Sequence, residues 1–332
     1  MDKNNKVTAS DILAIIFKWR KLLKSEALDL ETTFFSTLPL DEITPHLSKV
    51  LAMVDNNQPI HMILPAYPGK SPNRSKTLSR LPDLAETHSI DVLNQLCNEI
   101  AEVYEPGAKI SICSDGYVFA DLVRIPDEDV QAYTQAIQHY YQLHYSGRFD
   151  FFDLKDAFGV LSSLDAMREE LMVGYGESLI GLTEAVKTSK ETLSMYQGIA
   201  KFLFEDFSGL NEFADCSKTQ IQKQAKAVSL RVIQRSNAWS RLLEEYYPHA
   251  LRLSIHPQFR VSEKIGIHMG KTDDAWRTPW HSVAIKQNDE IRLQHRSQVD
   301  ENTHRLIFNQ GKPSHYSQLV NDKTGGVGGL HD

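Results

Sequence analysis

An apolar run that stops at a proline sets the frame for this chain. Ile60-His61-Met62-Ile63-Leu64 reads as a short buried strand. Pro65 to Arg74 then holds three prolines and one glycine in ten residues. Such a segment is neither helix nor ladder strand. It is a rigid loop, and with the residues just after it the stretch carries Lys70, Ser71, Asn73, Arg74 and Lys76. A second apolar run, Lys109 to Ser114, ends in Asp115-Gly116, and Asp121 lies six residues beyond Asp115. In open α/β sheets, ligands bind beyond the carboxyl ends of the strands. The expectation is a basic, hydroxyl-rich loop and two carboxylates on one rim.

The rest of the chain is consistent with that frame. Its 332 residues suffice for one large α/β domain with insertions or two modest ones, and 41% hydrophobic content supports a real core. A net charge of -7 argues against a general nucleic-acid binder, so the basic cluster Lys70, Arg74, Lys76 and Arg80 stands out. On charge pattern alone that cluster reads equally well as a solvated loop. Cys97, Cys113 and Cys216 form no C-x-x-C pair, which fits free thiols in a reducing compartment. The N-terminus lacks an apolar signal segment, and no run reaches the ~18 apolar residues of a membrane helix. The expectation is a cytoplasmic protein with no membrane partner.

In chain order, Ser10-Asp11 reads as the cap of an amphipathic helix through Leu23, followed by a helix over Leu40 to Val54. Helical spacing recurs from Thr87 to Val103, and from Pro126 to about Leu143. Tyr117 to Leu122 alternates after Asp115-Gly116, so a plain hairpin with Asp115 as turn former is one reading there. Phe149 to Asp153 reads as a short strand, and Ser163 to Tyr247 as mostly helical. Strand signals return at Ala250–Ile255, Lys264–His268, Ser282–Lys286 and Ile291–His295. The fold class expected is α/β, a Rossmann-like open sheet with a large helical insertion or subdomain. Its divisions are an N-terminal helical segment (1–56), the first half of the core (57–150), a helical subdomain (151–247), the second half of the core (248–308) and a flexible tail (309–332). The tail's Gly325 to Gly329 has no helix behind it and is no nucleotide loop.

Several motifs are missing. There is no G-x-G-x-x-G after a strand, no P-loop, no H-E-x-x-H and no G-x-S-x-G. The thirteen histidines are scattered, so no metal site is indicated. Three pieces carry chemistry. The first is the Lys70–Lys76 loop, suited to a phosphate. The second is Asp115 with Asp121, candidates for a general base and an orienting group. The third is a late cluster: His256 at a strand end stopped by Pro257, then Lys264, then Trp276-Arg277-Thr278-Pro279-Trp280-His281. A core tryptophan pair beside a satisfied histidine explains that last corner equally well.

Taken together and in order, these pieces resemble the pyoverdine/dityrosine biosynthesis family, which includes the PvcA-type isocyanide (isonitrile) synthases. The matching segments are Pro65 to Asn73, Cys113 to Gly116, Phe119 to Leu122, Leu253 to Pro257, Lys264 to Gly266 and Arg277 to His281. They span about 220 of the 332 residues. The resemblance implies a reaction in which the α-amine of tyrosine or tryptophan condenses with the C2 ketone of ribulose 5-phosphate. That carbon becomes the isocyanide, and the rest of the sugar leaves as carbonyl fragments and phosphate. The balance is redox-neutral and implies no cofactor. A downstream oxygenase acting on the product is the implied functional partner, and tyrosine is the favoured substrate. Under this reading Lys70, Ser71, Asn73, Arg74, Lys76, Lys264 and Arg277 are candidates to hold substrate, and Trp280 to stack on its ring. Asp115, Asp121, His256 and His281 are candidates for acid–base work. The alternatives are a non-catalytic phosphosugar or amino-acid binder, and a lyase using Lys70 or Lys264 as a Schiff base.

Overall fold

The computed structural model describes residues 3–27 and 40–319. Its helices are α1 (Lys3–Lys18), α2 (Lys24–Ala27), α3 (Leu40–Asp55), α4 (Leu84–Val103), α5 (Gly116–Val123), α6 (Asp127–His144), α7 (Leu154–Phe158), α8 (Leu164–Tyr175), α9 (Leu179–Thr188), α10 (Lys190–Ser208) and α11 (Lys218–Tyr246). Its strands are β1 (Ile60–Leu64), β2 (Ala108–Cys113), β3 (Phe149–Phe152), β4 (Leu251–Ser254), β5 (Lys264–Gly266), β6 (Val283–Gln287), β7 (Glu290–Gln294), β8 (His304–Asn309) and β9 (Lys312–Gln318). None of the described helices is long and apolar enough to cross a membrane.

The first sheet is wholly parallel, in the order β3-β2-β1-β4-β5. Parallel strands need crossovers, and these bring helices onto both faces. That is why β1 and β2 are buried almost from end to end. Ile60, Met62 and Leu64 pack with α1, α3, α4 and α6 in one core, whereas Ile63 and Cys113 face a second core built by α5 and α8 to α11. The long helical excursion α7–α11 joins β3 to β4, so β4 returns beside β1 and the direction of winding reverses there.

Several expectations are corrected. Ser10 sits inside α1 and does not start it; its hydroxyl donates to the Lys6 carbonyl at 2.9 Å. Asp115-Gly116 is not a hairpin turn, because α5 begins at Gly116. The glycine is demanded by packing: a Cβ there would lie 2.4 Å from the Pro68 carbonyl oxygen. The polar tail expected from Asn309 begins instead as a strand pair in a second sheet, ordered β7-β6-β9-β8. Tyr316 anchors β9, being only 2% exposed. Pro313 is accommodated because the β8–β9 register shifts at Ile307/Phe308 and β6 pairs only with Tyr316 and Ser317. Gly325 to Gly329 lies outside the described residues.

Candidate active site

Two chambers that share lining residues lie at the carboxyl ends of β1, β2 and β4. The outer one, about 240 Å³, is lined by Pro65 after β1, Asp115 after β2, Arg252, Ser254 and His256 at the end of β4, and Lys264 at the start of β5. The inner one, about 120 Å³, is walled mainly by apolar groups, among them Phe119, Ile199, Phe202, Trp276 and Trp280. Asp115, His256, Ser236 and Trp276 belong to both. A third, more open chamber of about 450 Å³ lies beyond Trp276 and is lined by Lys76, Arg277, His281 and His295.

Asp115 is the carboxyl at the junction. It stands at the N-terminus of α5 and makes no side-chain cap bond. Its Oδ1 is buried without a hydrogen-bond partner among the described residues. Desolvation pushes its pKa up to about 7, only partly offset by a backbone hydrogen bond and the Arg252 charge. A carboxyl with such a pKa can take and return protons near neutrality. His256 lies across the junction with its ring 5.1 Å from that of Trp276. Burial, helped by Lys21, lowers its pKa to about 3. It is a neutral imidazole whose buried Nδ1 has no partner among the described residues.

The outer chamber holds two cations, Arg252 and Lys264, beside the carboxylate of Glu191. Arg252 and Lys264 are paired residues on neighbouring parallel strands. Burial lowers the pKa of both, and the Arg252 charge lowers that of Lys264 further. The Arg252 Nε and Nη1 atoms are buried without a hydrogen-bond partner among the described residues. Two adjacent cations, with spare donors on Arg252, can hold an anion.

The proline loop does something else. Lys70 is fully buried, its Nζ 2.8 Å from Asp83 and 2.6 Å from Glu86. Asp83 and Glu86 are also the capping box of α4, so Lys70 locks the loop to that helix. Lys76 pairs with Glu205 at 2.9 Å and Asp206 at 2.7 Å on α10. The Ser71 hydroxyl donates to Asp206 at 3.0 Å, and the Asn73 amide donates to the Glu205 carbonyl at 2.8 Å. Arg74 is exposed and donates to Thr77 at 3.2 Å. Lys70, Ser71 and Lys76 are thus turned to internal carboxylates, and Asn73 and Arg74 to a backbone carbonyl and a hydroxyl. Lys70, Ser71, Asn73 and Arg74 line none of the three chambers.

Asp121 is also displaced from the site. Asp115 is the N-cap of α5, and the helix kinks at Phe119 before it reaches Asp121. Asp121 pairs with Arg235, and lies 3.6 Å from Arg168. Of the remaining candidates, Asp115, His256 and Lys264 meet in the outer chamber. Trp280 and His281 line the inner one, and Arg277 lines the third, bonded to Leu293 and Gln298. Arg252, Asp206 and the carboxylates Asp83 and Glu86 were not anticipated. The spacing Asp83-x-x-Glu86 is a capping-box signal, and Asp206 is an acid on the apolar stripe of Ile199, Leu203 and Phe207.

The family model for the pyoverdine/dityrosine biosynthesis protein matches residues 50–307. The chain is 43% identical over 313 residues to the L-tryptophan isonitrile synthase AmbI2 of Fischerella ambigua, covering 94% of this chain and 92% of that protein. It is 43% identical over 273 residues to the L-tyrosine isonitrile synthase of Pseudomonas aeruginosa, covering 81% of this chain and 83% of the relative. The crystal structure of the PvcA protein from Pseudomonas aeruginosa matches with a TM-score of 0.84 at 39% identity, over 93% of this chain and 99% of that one. With matches of this extent over both the core and the chambers, the chain belongs to the pyoverdine/dityrosine biosynthesis protein family.

Proposed function

We propose that this chain is an isonitrile synthase, converting the α-amino group of an aromatic amino acid to an isocyanide with ribulose 5-phosphate as carbon donor. The observation that carries the assignment of substrates to chambers is the junction. A chamber holding two adjacent cations and an aromatic-walled chamber meet at one carboxyl poised near neutrality. The phosphate of the sugar is assigned to Arg252 and Lys264, and the aromatic side chain to the space beside Trp276 and Trp280. The amine and the C2 ketone then meet at Asp115. An ammonium group must lose a proton to attack, and Asp115 is the group placed to take it. His256, neutral, can accept a hydrogen bond from the same amine.

The sheet order with its reversal between β1 and β4 supports a Rossmann-like reading, with the site at the switch point. The product, an α-isocyano acid, would pass to a downstream oxygenase. The free thiols Cys97, Cys113 and Cys216 suit a reducing cytoplasm. A second reading comes from Lys264, whose lowered pKa suits a Schiff-base nucleophile. Borohydride would trap such an adduct on the protein, whereas the synthase imine forms on the substrate amine. The deciding experiment is incubation of purified protein with ribulose 5-phosphate and tyrosine or tryptophan, read by mass spectrometry. An isocyanide that incorporates label from C2 of the sugar is expected. No isocyanide from either amino acid would overturn the assignment.

A further inference from the structure

The inner chamber is apolar along its walls but polar at both ends. One end is Asp115, His256 and Ser236, shared with the outer chamber. Asp206, Thr278 and His281 line the inner chamber and not the outer. They form a second polar pole, set among the rings of Phe202 and Trp280.

The geometry of that pole is specific. Asp206 is 2% exposed and held from behind, Oδ1 by Lys76 at 2.7 Å and Oδ2 by the Ser71 hydroxyl at 3.0 Å. His281 Nδ1 is 3.0 Å from the Thr278 hydroxyl. His281 Nε2 stands 3.7 Å from Asp206 Oδ2. That separation is too long for a direct hydrogen bond, yet one oxygen atom can bridge both groups. Burial, with the nearby Lys76 charge, keeps His281 neutral. In the tautomer in which the Thr278 hydroxyl donates to Nδ1, the ring proton sits on Nε2 and faces Asp206. An incoming hydroxyl would donate to Asp206 and accept from His281. An indole N–H satisfies only the first, and a bare phenyl ring satisfies neither.

We propose that Asp206 and His281 form a hydroxyl-recognising subsite, so that the amino acid taken by this enzyme carries a 4-hydroxyphenyl side chain, as tyrosine does. This inference rests on the placement of the aromatic side chain in the inner chamber. It gives the proline loop a purpose as well. Through Ser71 and Lys76 the loop fixes the carboxylate that reads the substrate.

The test uses the whole protein and two readouts. Calorimetry measures binding of tyrosine, phenylalanine, O-methyltyrosine and tryptophan, and kcat/KM is measured with ribulose 5-phosphate present. Tyrosine should lead phenylalanine and O-methyltyrosine by about 100-fold, because a site built for a hydroxyl is left unpaired without it. His281→Phe should cut the tyrosine-to-phenylalanine ratio below about 10. A ratio within about 3-fold in the wild-type protein would overturn the subsite, as would a preference for tryptophan or an unchanged ratio in folded His281→Phe. If that variant fails to fold, the analogue series on the wild-type protein decides alone. Selective tyrosine binding without any isocyanide would overturn the reaction and keep the subsite. Equal turnover of tyrosine and phenylalanine would do the reverse.

Discussion

Arg252 and Lys264 stand side by side on β4 and β5, two cations in register that share the nearby charge of Glu244 but make no ion pair among the described residues. Like charges facing each other across strands are destabilising unless an anion joins them. An anion held between them would relieve that repulsion, and this is where the sugar phosphate is proposed to sit.

Arg252→Met should therefore raise the KM for ribulose 5-phosphate by about 10- to 100-fold, since hydrogen bonds to charged groups contribute about 1.5–3 kcal/mol each. The KM for the amino acid should change little. Inorganic phosphate should raise the melting temperature of the wild-type protein and not that of Arg252→Met. Steady-state kinetics with each substrate varied in turn, and thermal melts with phosphate, check this. An unaltered sugar-phosphate KM would remove the anion from this pair.

Lys70→Met gives the opposite pattern. The Lys70 ammonium is buried between Asp83 and Glu86, and the pKa of Glu86 is already pushed up to about 7 by burial. Removing the cation leaves two buried carboxylates together, a loss of about 3–5 kcal/mol. A destabilised protein whose KM for ribulose 5-phosphate is normal is the expected result. Adding Glu86→Gln should recover part of the stability. Denaturant titration of the single and double variants reads both effects.

These two lysines mark what could be read from the sequence. Strand ends were legible because an apolar run broken by proline or Asp-Gly has few other uses. Asp115, His256 and Lys264 followed from them. The direction of a charge was not legible. Lys70 and Lys76 look like ligand groups until the carboxylates on α4 and α10 come to meet them, and those lie on separate helices. Arg252 carried a readable sign, a lone charge between Leu251 and Leu253 in an apolar strand. Tyr117 to Leu122 left a hairpin open as one reading because aromatic and β-branched residues suit either state, and in the structure the segment is helical and packs against α11.

Asp115 links activity to pH. Its folded pKa, about 7, lies above the ordinary carboxylate value. Between about pH 4 and 7 the folded chain holds a proton that the unfolded chain has lost, so stability falls as pH rises through that window. Asp115→Asn removes this ionisation. At pH 8 it should melt higher than the wild-type protein, with the advantage gone at pH 4. Its activity should fall by about 100-fold or more, and the rising limb of kcat/KM near pH 7 should vanish. An active Asp115→Asn with an unchanged pH profile would remove the carboxyl from the reaction.

Gly198 offers a test of the aromatic wall. It sits inside α10, where glycine is less favourable than alanine by about 0.8–1.0 kcal/mol. The reason for it is Trp276: a Cβ at Gly198 would lie 3.0 Å from the ring Cζ3 and 3.1 Å from Cε3. The ring lines all three chambers and leans on His256 from the other side. Gly198→Ala must push the indole away from the helix by a few tenths of an ångström. The chambers are the open space into which it can move, so helix propensity should offset the crowding and the melting temperature should stay within about 2 °C of wild type. The narrowed wall should lower kcat/KM for tyrosine by about 10-fold and for tryptophan by more, as expected when a pocket loses room for part of a ring. Kinetics with both amino acids and a thermal melt settle the matter: a fall in stability with unchanged selectivity would show that Trp276 supports the fold and does not shape the substrate space.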